Sequence, residues 1–264
     1  MLITIITINY NNLAGLKKTM TSVLNQTYSE IEYIVIDGGS TDGSKEYIES
    51  KDKNLAYWVS EPDQGIYHAM NKGIDKATGE YLLFINSGDW LVNNVVIKKF
   101  IGFKPVEDLV YGDHFAQQKK KWTRQYAPKT MSIGIALTNT INHQSIFFSK
   151  QIFQNDRYNL DYKILADWVL TNNAIIFNKS TTRYVDLVIC YYDLNGISSN
   201  FNLRHEERNR YLKEHFNPLF LRLLKDYKKL NKKHSKLKNN PLVRLAIFLR
   251  DKKQQFLSYF KKQA

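Results

Sequence analysis

An apolar run ends on a single carboxylate in Gly79-Glu80-Tyr81-Leu82-Leu83-Phe84-Ile85-Asn86-Ser87-Gly88-Asp89. Carboxylate oxygen at the mouth of a buried strand suits a hard divalent cation, Mg²⁺ or Mn²⁺, which as a Lewis acid stabilises a departing anion. Just upstream, Glu61-Pro62-Asp63-Gln64-Gly65-Ile66-Tyr67-His68-Ala69-Met70-Asn71-Lys72-Gly73 reads as a glycine-broken loop feeding a helix. Gly65 lets backbone approach phosphate closely, and Asn71 and Lys72 lie early enough in the helix to face the same ligand, Lys72 as a point cation. The combination suits a nucleotide diphosphate with its metal. Taken singly, Ser87-Gly88-Asp89 is also a turn before Trp90, and Lys72 is also an ordinary solvated helix lysine.

Other polar residues stand at comparable places. Thr7, Asn9 and Tyr10 close one apolar run, and Asp37 closes another at the turn Asp37-Gly38-Gly39-Ser40-Thr41-Asp42-Gly43-Ser44. Asp-Gly-Gly-Ser is common turn composition; the pairing with Asn9 one strand away is what gives Asp37 weight as a binding residue. Asp167 follows Leu165 and Ala166 and precedes Trp168, apolar surroundings that raise a carboxyl pKa toward the range useful to a general base. Asp161 is the alternative, although it fits better as a first-turn acid on a helix dipole.

Alternating elements position these tips. Residues 2–8, 31–37, 55–59 and 80–86 read as strands; residues 13–26, 44–50 and 65–77 read as helices, the last stopped by Thr78-Gly79. Strands and helices alternating at this spacing build βαβ units and a parallel sheet covered on both faces. Ligands of such sheets bind beyond the carboxyl ends of the strands. Asn9, Asp37, Glu61 and Asp89 all fall at those ends, so topology alone brings them to one rim. After residue 105 the pattern changes. Residues 109–113, 145–148 and 185–192 read as strands, 160–172 as a helix, and Lys119-Lys120-Lys121 as an exposed turn.

The chain has 264 residues, 43% of them hydrophobic, enough for one substantial core and an appendage. Its one cysteine, Cys190, excludes an internal disulfide and fits a reducing compartment. It lies in an apolar run, where a buried structural thiol is expected rather than a nucleophile. The N-terminus lacks the basic region of a signal peptide, and no apolar run approaches the ~20 residues that span a bilayer, so a cytoplasmic protein is expected. Charge is uneven. Residues 1–200 carry 20 Lys+Arg and 20 Asp+Glu, whereas residues 201–264 carry 18 and 5, the whole of the net +13. A neutral domain, 1–200, is joined to a basic extension, 201–264.

Thr7-Ile8-Asn9-Tyr10-Asn11, the Asp37 turn, the stretch 61–73 and Asn86-Ser87-Gly88-Asp89 together resemble the family-2 glycosyltransferases of the GT-A fold, over about residues 1–200, in their bacterial surface-polysaccharide form. The resemblance implies an α/β architecture, a Rossmann-like mixed sheet with helices on both faces. It implies an inverting enzyme that moves a sugar from a nucleotide-sugar donor, a UDP-sugar, to a hydroxyl. In such enzymes the carboxylate after the second strand accepts from the imide N–H of uracil; that puts Asp37 on the base, with Thr7, Asn9 and Tyr10 lining the same pocket. The family's metal motif is Asp-x-Asp, of which Asn86-Ser87-Gly88-Asp89 keeps only the last carboxylate. Its base-bearing helix is matched by residues 160–168, where Ala166-Asp167 keeps the second of two acids, making Asp167 the base for the acceptor hydroxyl. His143-Gln144 and Trp168 would touch acceptor or donor sugar, although a core histidine also fits His143. Asn195-Gly196-Ile197-Ser198-Ser199 resembles a loop that closes near the donor. His68 stands where relatives carry Asp and takes no role.

The basic extension reads as helical from residue 203. Beyond Asn239-Asn240-Pro241, the residues Leu242, Leu245, Ala246, Leu249, Phe256 and Phe260 share a face, with Arg244, Arg250, Lys252, Lys261 and Lys262 mostly off it and Lys253 interrupting it. That pattern fits an interfacial helix on the anionic inner face of a cell membrane, which would set the enzyme beside a lipid-linked or growing surface glycan as acceptor. The stripe also suits packing on the catalytic domain or on a second copy of the chain. Nucleic acid is the weakest reading of the charge, since stacking aromatics and a recognisable module are missing. Two other functions stay open. A nucleotidyltransferase would need a Gly-rich basic loop after strand one, where Asn9-Tyr10-Asn11-Asn12-Leu13 stands; a catalytically degenerate nucleotide-sugar-binding scaffold is allowed by the missing Asp-x-Asp partner.

Overall fold

Ile3–Asn9 (β1) is buried at every position, which is why it reads as an unbroken apolar run rather than an alternating one. In the computed structural model, which describes residues 1–118, 121–192, 200–238 and 240–241, the chain continues in βα alternation. The next elements are α1 (Leu13–Leu24), β2 (Ile31–Asp37), α2 (Ser44–Glu49), β3 (Tyr57–Ser60), α3 (Ile66–Lys76) and β4 (Tyr81–Phe84). Then come β5 (Trp90–Leu91), α4 (Val96–Gly102), β6 (Leu109–Gln118), β7 (Lys121–Gln125), α5 (Ile133–Thr138), β8 (Ile146–Ser149), α6 (Ile152–Asn155), α7 (Ala166–Asn172), β9 (Thr182–Tyr192), α8 (Phe201–His215) and α9 (Pro218–Lys238).

The described strands make one sheet in the order β3-β2-β1-β4-β8-β6-β9-β5, with β7 paired to β6. β3, β2, β1 and β4 run parallel, as consecutive βαβ crossovers require. β8 joins β4 antiparallel, and β6 pairs β9 in parallel, so the sheet is mixed, with the GT-A architecture expected from the sequence. Register sets Asn9 opposite Asp37. The β1–β4 ladder continues past Phe84, through Ile85 N–H on the Ile6 carbonyl and Ser87 N–H on the Ile8 carbonyl, and so carries the chain to Asp89 beside the end of β1. Ile3, Leu16, Met20, Val35, Leu83, Val110, Phe147 and Ile189 belong to one buried cluster beneath that rim. Cys190 is part of it, and burial pushes its thiol pKa well up, so it is a structural residue.

The second half departs from the sequence reading. β6 runs on to Gln118, past the expected end at residue 113. Asp113 is fully buried in it and is neutralised by Arg124 of β7, whose Nε donates at 2.7 Å, so a charge interrupts the apolar pattern of a strand that nevertheless continues. Lys121 opens β7 rather than belonging to a turn, while Lys119 and Lys120 lie outside the described residues. So do Asn195–Ser199 and the apolar stripe from Leu242 to Phe260.

Residues 160–165 are not helical; α7 starts only at Ala166. The reason lies 40 residues away. Glu207 of α8 is buried, and its carboxylate accepts from the N–H groups of Lys163, Ile164 and Leu165 at 2.5, 3.2 and 3.0 Å. A side-chain acid from another helix thus takes the donors just ahead of α7 that would otherwise be unpaired. By packing, the chain divides between Tyr211 and Leu212, while the charge break falls at 200/201; the first part of α8 packs with the first unit. Glu207→Ala leaves three N–H groups without an acceptor and should cost about 1–3 kcal/mol. A melting temperature several degrees below wild type is expected, with Glu207→Gln in between; an unchanged melting temperature would contradict the capping role.

Candidate active site

At the carboxyl ends of β1, β2 and β4 lies a cavity of about 820 Å³. Asn9, Tyr10, Gly65, Asp89, His143, Gln144 and Asp167, all singled out in the sequence, line it. Thr7, Asp37, Asn71, Lys72 and Trp168 do not, and each has a physical reason.

Thr7 is fully buried, its hydroxyl donating to the Ile85 carbonyl and meeting the Tyr33 hydroxyl, so it is core rather than pocket. Asn71 staples α3 to the segment after α6 by a two-way bond with the main chain of Tyr158, at 2.9 and 3.0 Å. Lys72 is held at 2.7 Å by both Glu61 and Asp63, which use the charge expected to meet phosphate. Trp168 is buried, with its indole N–H on the carbonyls of Ala136 and Asn139 and Arg208 stacked on its ring. It anchors α7 from behind the cavity wall.

Asp37 is also fully buried, and all its bonding is internal. Oδ1 accepts from Asn9 Nδ2 at 2.7 Å and Ser40 Oγ at 2.6 Å; Oδ2 accepts from Ser40 N–H at 2.9 Å and Ser60 Oγ at 2.6 Å. Burial alone would raise its pKa, but these bonds hold it below the ordinary carboxylate value. The carboxylate that was expected to read a base instead builds the wall behind Asn9. Asn9 keeps Oδ1 buried and without a partner among the described residues, an acceptor left for an N–H of whatever enters.

Asp167 is the most heavily supported group on the wall. Oδ2 accepts from His143 Nδ1 at 3.1 Å, and Oδ1 accepts from Tyr67 OH at 3.2 Å and from the Trp168 N–H at 2.8 Å. A carboxylate only accepts, so His143 donates from Nδ1, while its Nε2 faces the Asn86 amide at 3.1 Å. The apolar surroundings were expected to raise the Asp167 pKa. Burial does push that way, but hydrogen bonds from His143, the Trp168 N–H and Tyr67 OH outweigh it and hold Asp167 below the usual carboxylate range. The sequence showed the apolar neighbours and not the donors.

Asp89 closes a turn in which Gly88 has φ +105°, a left-handed conformation open to glycine. Thr19 of α1 pins that turn by donating to the Asp89 carbonyl at 2.6 Å and accepting from the Gly88 N–H at 3.1 Å. Gln144 donates to Asp89 Oδ2 at 2.8 Å. No group of three or more His, Cys, Asp or Glu able to hold a metal occurs among the described residues. Asn86 Oδ1, however, is buried without a partner among them and lies on the wall with Asp89. Carboxylate plus amide oxygen is a hard donor set that fits Mg²⁺ or Mn²⁺ completed by phosphate and water.

Sequence reasoning missed Tyr67, Asn86, Lys163 and Arg204, which also line the cavity. Tyr67 had a signal, since it opens the helix after Gly65; Arg204 had none, standing in what reads as a charged tail.

The family model described as glycosyl transferase family 2 matches residues 4–169. Rv1514c of Mycobacterium tuberculosis, an uncharacterized glycosyltransferase, is 34% identical over 206 residues, covering 75% of this chain and 77% of its own. Among solved structures, S. aureus TarS 1-349 in complex with UDP superposes with a TM-score of 0.65 at 17% identity, covering 91% of this chain and 74% of that one. The mannosyltransferase PcManGT from Pyrobaculum calidifontis, in complex with GDP-Man and Mn²⁺, does so with a TM-score of 0.59 at 16% identity, covering 80% and 61%. The structural likenesses speak for the fold; the family match over more than half of the chain and the close relative speak for descent. The chain belongs to glycosyl transferase family 2.

Proposed function

We propose that this glycosyltransferase takes a sugar from a UDP-sugar and passes it, with inversion, to a hydroxyl of a lipid-linked or growing surface glycan. One observation carries the reading: Asp89 and Asp167 line the same cavity, an oxygen site for a diphosphate's cation and an ionised carboxylate for an acceptor proton. Family membership removes the nucleotidyltransferase alternative.

The geometry supports a role for each residue. A carboxylate has about four lone-pair positions. Three on Asp167 are occupied by Tyr67, Trp168 and His143, which leaves one on Oδ2 for the acceptor hydroxyl. Asp167 takes that proton as the oxygen attacks the anomeric carbon; the bond to the diphosphate breaks on the opposite face and its electron pair leaves with the phosphate. His143 and Tyr67 fix the carboxylate's direction, and positioning of this kind is a large part of such catalysis. Asp89 and Asn86 would hold the divalent cation, which when bound supplies Lewis-acid neutralisation of the leaving group. Asn9 Oδ1 would accept from the base. The solved TarS complex with UDP supports a uridine donor; the GDP-Man complex of PcManGT makes GDP-sugars the comparison to run beside it.

The membrane placement draws on α9. Leu219, Leu223, Leu230 and Leu237 recur at helical spacing and are 57–68% exposed, with Asp226 and Lys233 between them on the same stripe, while Lys225, Lys228, Lys229 and Lys232 fall on the other face. No described helix is long and apolar enough to cross a membrane. An exposed leucine stripe with a lysine back is the form of a helix that lies in the interface.

Thermal shift across nucleotide sugars should single out UDP-sugars, because a ligand of the native state raises the melting temperature. Asp167→Asn should then lower kcat by roughly a hundredfold or more with nucleotide affinity kept, and the product anomer should be opposite to the donor's; unchanged turnover would remove Asp167 from the mechanism, and binding without turnover in wild type would mark a scaffold. The acid limb of kcat/KM should lie below the ordinary carboxylate range, since Asp167 loses its base form only there. His143→Ala removes one of the donors that offset burial, so the limb should move to higher pH; a limb that stays put would refute the pairing. In flotation, the full chain should rise with anionic vesicles and not with neutral ones, and indifference to both would defeat the membrane assignment.

A further inference from the structure

We propose that Arg204, in the first turn of α8, receives the diphosphate of the donor. The inference rests on the nucleotide-sugar reading above.

The cavity has a charge problem. A leaving diphosphate concentrates negative charge, yet Asp89 offers a cation one carboxylate where the family motif has two. Lys72, expected to help, is held by Glu61 and Asp63 and is off the wall. Among the described residues, the Lys and Arg side chains on the wall are Lys163 and Arg204. Lys163 Nζ turns back to the Leu160 carbonyl at 3.3 Å. Arg204 has its Nε buried with no hydrogen-bond partner among the described residues.

Its position is unfavourable for a cation without an anion nearby. α8 begins at Phe201 and has no acidic residue in its first turn, so Arg204 stands at the positive end of the helix dipole. One turn on, Arg208 lies half-buried over the Trp168 ring, and the two positive charges repel. A buried unpaired N–H and a repelled charge are both relieved by a doubly charged oxyanion in the cavity. Guanidinium offers a planar fork that bonds two phosphate oxygens at once. The same α8 holds α7 through Glu207, so the helix that fixes the base would also fix the charge acceptor.

The test is calorimetric titration of the full chain with UDP, GDP, uridine and inorganic pyrophosphate, for wild type, Arg204→Gln, Arg204→Lys and Arg210→Ala. Arg204→Gln should weaken UDP and pyrophosphate roughly ten- to a hundredfold and leave uridine within about twofold. Arg204→Lys should lose less. Arg210→Ala takes a charge from the same helix where the guanidinium covers Tyr162 at 4.2 Å, and should change none of them. Equal UDP affinity in wild type and both Arg204 variants overturns the proposal. So does a parallel loss of UDP and uridine, which marks general damage, or a loss confined to acceptor KM, which assigns the anion to the other substrate. Wild type that binds neither UDP nor GDP fails the nucleotide-sugar reading itself, and this inference falls with it.

Discussion

A largely enclosed carboxylate fixed by three donors is the constraint around which this molecule is arranged. Asp167 is supported by His143 just ahead of β8, by Tyr67 in the first turn of α3 and by the main chain of α7. Those donors converge only if the parallel half of the sheet, its antiparallel extension and the helix after β8 are all in register. Removing water from a charged group is costly unless its hydrogen bonds are replaced. The donors replace them here, and the result is an ionised, largely enclosed carboxylate with one lone-pair position unfilled, which is what the proposed base role requires.

The same logic recurs at the other carboxylates. Asp37 gathers Asn9, Ser40 and Ser60 and thereby locks the turn after β2 to the end of β1. Glu207 gathers three N–H groups and sets where α7 begins. Neither is on the cavity wall, but both determine what is. Beside these scaffolding acids, Asp63, Asp89 and Asp167 line the cavity itself.

Much of the parallel half was legible in the sequence. β1, β2 and β4 are buried on both faces, so their apolar runs are continuous, and turn residues mark where each stops, asparagines after β1 and glycines after β2 and β4; Asn9 and Asp89 at those ends do line the site. Residue type and spacing say that a side chain stands near a rim, not which way it turns. That is why Asp37, Thr7, Asn71, Lys72 and Trp168 were expected in the pocket and are found in its supports. The second half was harder because its determinants are distant: Arg124 neutralises Asp113 across two strands, Glu207 delays a helix 40 residues earlier, and Arg204 reaches the cavity from a segment whose composition reads as a solvated tail.

Hydrogen exchange followed by mass spectrometry, with and without saturating UDP and Mn²⁺, tests most directly whether the rim is where the donor binds. Slowed exchange is predicted in peptides spanning the Asn86–Asp89 turn and the segment from Lys163 into α7, both of which line the cavity. Bound UDP that leaves both segments exchanging at their free rates would place the ligand elsewhere and contradict the account.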